Sequence, residues 1–235
     1  KFKIILNMKI TEKIELTNED CFVMLDNLPE KSIDLLLVDP PYGMSFKSNY
    51  RKEKHLKIQN DNSLEWLSDW LFQVSRVLKK DSHCYIFCSN HFVDVFITEI
   101  KKFLPYKNML IWEKNNTGMG DLEGDFAPQY ELIIFCSNGK KKLNGKRDSN
   151  IIKAKKTNNE LHPTQKPVNL LEYLIEKSTN VDDLVMDCFS GSGSTAVACY
   201  NTNRRFIGRE KKKKHYEVSV SRIKKHTSQQ NLFLF

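Results

Sequence analysis

No apolar run in this 235-residue chain approaches the ~20 residues needed to cross a bilayer. The N-terminus lacks the apolar core and small-residue cleavage site of a secretion signal, so a cytoplasmic location without a membrane partner is expected. The chain opens at Lys1 with no initiating methionine, so a few upstream residues are expected, and Met8 is another candidate start. No Cys-x-x-C pair and no Cys/His cluster at zinc spacing occur among Cys21, Cys84, Cys88, Cys136, Cys188 and Cys199, so no metal site is expected. Cys84, Cys88 and Cys136 lie in apolar, strand-like runs where a free thiol packs as a small hydrophobe. All six read as reduced and structural. No internal repeat is present, and no lysine follows the chain's Gly-rich turn where a phosphate-binding P-loop requires one.

What is present is ordinary for a soluble globular protein: 40% hydrophobic and 28% charged residues, enough for one domain over residues 1–235 with a substantial core. The formal net charge is +8. Its lysines and arginines gather at 47–57, 140–156 and 204–225, and three basic runs point to a polyanionic partner.

Strand and helix patterns alternate along the chain. Strands are expected at Lys13–Leu16, Ser32–Asp39, Cys84–Ser89, Met109–Trp112, Glu131–Cys136, Leu184–Phe189 and Arg205–Arg209. Helices are expected from Asp20–Cys21 to Leu28, over His91–Phe103 and Val168–Ser178, and after the Gly-rich turn. One more would carry Leu64, Leu67, Leu71, Val74 and Leu78 on one face, with Ser63 as N-cap. A basic C-terminal helix closes the chain. The stretch Asn138–Leu161 shows little periodicity and is long for a plain connection. Such alternation implies an α/β three-layer fold with a largely parallel sheet.

Two motifs carry chemistry. Asp39-Pro40-Pro41-Tyr42 ends the apolar run Ile33–Val38. The prolines fix two φ angles and remove two donors, leaving carbonyls and the Asp39 carboxylate as acceptors beside the flat face of Tyr42. That set suits a planar base bearing an exocyclic amino group. Later, Val185–Phe189 leads through Ser190-Gly191-Ser192-Gly193-Ser194-Thr195 into a helix, a strand–turn–helix cradle for a nucleotide-like cofactor. Gly191, Gly193 and Ala196 also satisfy the dinucleotide pattern, and Glu210 stands about twenty residues on, where an acid binds ribose hydroxyls. NAD and S-adenosylmethionine share that ribose. Two features favour S-adenosylmethionine: one strand alone follows the turn, and a methyl donor gives the Asp-Pro-Pro-Tyr platform a purpose.

With these motifs the chain resembles the β class of S-adenosylmethionine-dependent DNA amino-methyltransferases over nearly its whole length. Asp39–Tyr42 matches the catalytic motif in full, and His162-Pro163-Thr164-Gln165-Lys166-Pro167 matches a segment that contacts the methionine moiety. Asp187–Thr195 resembles the cofactor loop, with Cys188 where proline is common and Ser194 in place of a threonine. Phe206–Glu210 resembles the strand bearing the ribose acid, and Asp20, followed by Cys21, sits where the adenine is contacted.

The resemblance implies a circularly permuted Rossmann-like methyltransferase fold with a mixed, mostly parallel seven-stranded sheet. It implies Asp39, Pro40, Pro41 and Tyr42 as catalytic. It implies Asp20, Cys21, Asp39, His162, Thr164, Gln165, Lys166, Asp187, Phe189, Gly191, Ser192, Gly193, Thr195 and Glu210 as the S-adenosylmethionine site. The expected reaction is methylation of adenine N6 in double-stranded DNA, on a flipped-out base. N4-cytosine methylation is the nearest rival, although a serine at the Asp39 position is its commoner partner. A silent cofactor-binding subunit and a nicotinamide oxidoreductase are more distant readings. Residues 43–62 and 114–161 are the expected DNA-contacting loops, with Lys47, Arg51, Lys114 and Asn115 as contacts. A homodimer and a cognate restriction endonuclease are further partners that the class implies.

Overall fold

The computed structural model describes residues 9–41, 66–118, 123–155 and 165–231. In chain order the elements are β1 (Ile14–Thr17), α1 (Cys21–Asn27), β2 (Ile33–Val38), α2 (Leu67–Val77), β3 (Leu78–Cys88), α3 (Val93–Ile100) and β4 (Tyr106–Glu113). They continue as β5 (Tyr130–Asn138), β6 (Ile151–Lys153), α4 (Val168–Ser178), β7 (Leu184–Asp187), α5 (Ser194–Asn201), β8 (Arg205–Arg209) and α6 (Lys213–Asn231). The eight strands form one sheet in the order β1-β8-β7-β2-β3-β5-β4-β6. Every pairing is parallel except those of β5, which runs antiparallel to both β3 and β4.

All six residues of β2 are buried, as a central parallel strand covered on both faces requires. Its side chains alternate between two cores. Ile33, Leu36 and Val38 pack with α1, α2 and α3, while Leu35 and Leu37 pack on the opposite face with α4 and α5. Asp34 is the one charge in the strand. Lys79 Nζ meets its Oδ1 at 2.7 Å, and the Leu184 N–H donates to its Oδ2 at 2.9 Å, which ties β2 to β3 and β7.

The three-layer architecture and mostly parallel sheet are those expected, but among the described residues the sheet has eight strands, not seven. The eighth, β6, lies in the stretch that shows no periodicity. Three residues cannot reveal a period, and they pair at the sheet edge with β4. β3 begins at Leu78, earlier than expected, because α2 turns directly into it: Leu78 has φ −67° and ψ 131°. Ser63 and Leu64, expected to start α2, lie outside the described residues. β1 pairs with β8 and β2 with β7, so the chain's first two strands flank its last two. That is the permuted order.

Candidate active site

The four neighbours β1, β8, β7 and β2 are parallel, so their C-terminal ends emerge side by side, where open α/β sheets bind ligands. The segments leaving them line one pocket: Glu19, Asp20 and Cys21 after β1, Asp39 and Pro41 after β2, Asp187 to Ser192 after β7, and Glu210 after β8. Trp66 and Phe189 form an apolar wall, with ring centroids 5.7 Å apart in an edge-to-face arrangement.

The Gly-rich turn is held from within. Asp187 is buried; its Oδ2 accepts from Thr195 Oγ1 at 2.7 Å and its Oδ1 from the Phe189 N–H at 3.0 Å. Gly193 caps α5 with φ +75°, a left-handed conformation, and a Cβ there would sit 3.2 Å from Ile223 and Ser219 of α6. Glu210 accepts from the Gly191 N–H at 2.9 Å and the Lys212 N–H at 2.8 Å. Burial raises the Glu210 carboxyl above its ordinary range despite those two bonds. Burial likewise pushes Asp187 up to about 7, and the charges of Asp39 and Glu210 add to the effect. Asp20 N-caps α1, accepting from the Phe22 N–H at 3.0 Å, and pairs with Lys211 at 2.9 Å. Although burial opposes it, Lys211 and that N–H hold the Asp20 carboxyl below its usual range. Burial, with Asp20 alongside, pushes the Cys21 thiol up to about 12, and burial does the same to Cys88 and Cys136. All six cysteines are buried and unbridged.

Asp39 stands at the end of a chain of alternating charges. Lys166 Nζ lies 2.7 Å from Asp39 Oδ2 and 2.9 Å from Glu131 Oε2, and Lys114 Nζ lies 2.9 Å from Glu131 Oε1. The Lys166 side chain is only 8% exposed, and its ammonium sits 4.8 Å from the centroid of the Phe87 ring. Burial opposes ionisation of Glu131, but Lys166 and Lys114 outweigh it and bring the carboxyl down to about 2. The two carboxylates drive Lys166 the other way, above its ordinary value in spite of its burial.

Twelve of the residues expected at the site line this pocket: Asp20, Cys21, Asp39, Pro41, Gln165, Lys166, Asp187, Phe189, Gly191, Ser192, Thr195 and Glu210. Pro40 is buried and Gly193 caps α5; neither borders it. Tyr42, Lys47, Arg51, His162 and Thr164 lie outside the described residues. Asn115 is exposed, just past β4. Lys114 turns inward onto Glu131 with its side chain 13% exposed, so a DNA contact there would exchange one anion for another. Glu19, Trp66, Lys211, Lys212 and His215 also line the pocket and were not anticipated. Glu131 was missed as well. The available signal was an acid heading an apolar strand, Glu131-Leu132-Ile133-Ile134, but its meaning depends on β5 running against its neighbours.

Residues 33–221 match the family described as DNA methylase, the N6/N4 methyltransferases. The type II methyltransferase M1.MboII of Moraxella bovis is 30% identical over 236 residues, covering 80% of this chain and 88% of its own. The DNA adenine methyltransferase YhdJ of Escherichia coli K12 is 25% identical over 242 residues, covering 87% and 80%. Among solved structures, the M1.HpyAVI–SAM complex superposes with a TM-score of 0.68 at 25% identity, over 89% of this chain and 99% of that one. The cytosine-N4-specific PvuII DNA methyltransferase gives 0.74 at 19% identity, over 94% and 92%, a likeness of fold. The chain belongs to the N6/N4 DNA methylase family.

Proposed function

We propose that this protein transfers a methyl group from S-adenosylmethionine to the N6 amino group of adenine in double-stranded DNA. The observation that carries the reading is the placement of Asp39 in the wall of the pocket that Gly191, Ser192 and Glu210 also line. An acceptor for an amino group and a cradle for a nucleoside cofactor thus share one cavity.

The donor set fits S-adenosylmethionine. Glu19, Asp20 and Glu210 bring carboxylate acceptors into the cavity beside the apolar wall of Trp66 and Phe189, a combination that suits a nucleoside with its ribose hydroxyls and amino groups. Glu19 Oε2 is buried with no hydrogen-bond partner among the described residues, an acceptor suited to a ligand N–H or O–H. Glu210 would take the ribose hydroxyls, Asp20 and Phe189 the adenine end, and Gln165 with the preceding His162 and Thr164 the methionine end. When bound, S-adenosylmethionine supplies a methyl group already activated on sulfur.

The protein's part is positioning and electrostatics. The amino nitrogen of adenine is a weak nucleophile because its lone pair is delocalised into the ring. The Asp39 carboxylate and the Pro40 carbonyl accept its two N–H bonds and draw the lone pair back onto nitrogen. On transfer the C–S bond would break to a neutral thioether, and the nitrogen would then shed one of those two protons. The reacting atom is inaccessible within a duplex, so the base is flipped out, with Tyr42 as its stacking partner. Residues 43–62 and 114–161, with Lys47, Arg51 and Asn115, are the proposed DNA-contacting set; Lys114, expected among them, instead keeps its pairing with Glu131. The homodimer and the cognate restriction endonuclease belong to the same proposal.

Asp39→Ala tests it. Methyl incorporation into DNA is expected to fall to background while calorimetric binding of S-adenosylmethionine persists. Retained turnover would remove Asp39 from the chemistry.

A further inference from the structure

Lys166 is a buried ammonium, and it faces two carboxylates, not one. An ammonium paired with Asp39 alone would place its whole charge on the group that has to attract the substrate's N–H bonds. It would weaken that group as an acceptor and draw it out of position. Glu131 changes this balance: at 2.9 Å from Lys166 Nζ, against 2.7 Å for Asp39, it takes a comparable share of the ammonium's charge and hydrogen bonding. Glu131 is itself fixed. Its backbone pairs with Trp112 of β4, and its other oxygen accepts from Lys114 at 2.9 Å. Two acids and two bases thus form a charge-balanced group around the buried Lys166, the condition under which a buried ion is tolerated.

The topology explains how a residue so far from Asp39 in sequence arrives there. β5 is the one strand running antiparallel to its neighbours, so its first residues lie at the edge where β2 and β3 end. Leu132 sits opposite Cys88, the last residue of β3, and Glu131 lies one step further out. On the other side, Pro167 fixes the entry to α4 directly after Lys166. The ammonium is therefore clamped between a strand end and a helix start.

From this geometry we infer that Glu131 is a positioning residue for methyl transfer, acting on Asp39 through Lys166. The inference rests on the role proposed above for Asp39. Glu131→Gln keeps the size and one acceptor of the side chain but removes its charge, so Asp39 alone is left to balance the charge of Lys166.

The test measures single-turnover methyl transfer, KM for DNA and calorimetric binding of S-adenosylmethionine in wild type, Glu131→Gln and Asp39→Ala. The expected result is a rate at least about tenfold lower in Glu131→Gln. Its KM and cofactor affinity should stay within about twofold of wild type, a split that a general loss of structure would not give. A wild-type rate in Glu131→Gln beside an inactive Asp39→Ala would overturn this inference and leave the role of Asp39 standing. A Glu131→Gln protein that also lost cofactor binding would make the residue a determinant of the fold, which equally overturns it. Full activity in Asp39→Ala would instead remove the reading on which the inference rests.

Discussion

Asp187 shows how much of the site depends on one buried carboxyl. It anchors the Gly-rich turn through Thr195 and the Phe189 N–H, and burial pushes it up to about 7. The folded protein therefore holds a proton between about pH 4 and 7 that the unfolded chain releases. The associated stability is fully present below the ordinary value of 3.8 and is lost as pH rises through about 7. Asp187→Asn is neutral at every pH and keeps an acceptor. Its melting temperature, compared with wild type, should shift progressively in its favour between pH 4 and pH 8. Thermal unfolding of both proteins across that range checks this, and a constant difference would show that Asp187 does not titrate there. The meeting of Asp39, Asp187 and Glu210 at one pocket was legible because each stands at the end of a buried strand beside a recognisable turn. The engagement of Lys166 by Glu131 was not, because an ion pair between residues 35 apart leaves no mark on local pattern.

At the scale of elements, β8 carries the closest backbone approach near the site. A Cβ on Gly208 would lie 2.4 Å from both Ser190 Oγ and the Phe206 ring. The serine could turn away, but Phe206 is buried and has nowhere to go. Gly208→Ala should cost about 1–3 kcal/mol in urea unfolding. It should also weaken cofactor binding, since Ser190 N–H donates to Arg209 O at 2.9 Å and couples strand to turn. A change below about 0.5 kcal/mol would mean the strand yields freely. The elements readable in advance were those with a continuous apolar run or a clean helical period. β2 is such a run apart from Asp34, β8 shows as Phe206-Ile207 between two arginines, and α4 runs over Val168–Ser178 as expected, because Pro167 and Thr179, both extended, mark its ends. The first half of β3 hid behind Lys79-Lys80-Asp81, and β6 was too short to see.

For the molecule as a whole, the order of motifs along the chain was the most telling feature. With the Asp-Pro-Pro-Tyr motif ahead of the Gly-rich turn, the family's fold places the last strands among the first, and β1-β8-β7-β2 does this. What the order could not supply was the direction of β5, the one reversed strand, and with it the chain of charges from Lys114 to Asp39. None of the helices among the described residues is long and apolar enough to cross a membrane. The net charge of +8 suits a polyanionic substrate. Methyl transfer to an exocyclic amino group of DNA is the activity to be tested. The most direct measurement gives the protein labelled S-adenosylmethionine and unmethylated double-stranded DNA rich in short sites, then digests the DNA and identifies the labelled nucleoside by mass. N6-methyladenine is the expected product; N4-methylcytosine would overturn the choice of base, and DNA without label would overturn methyl transfer to DNA.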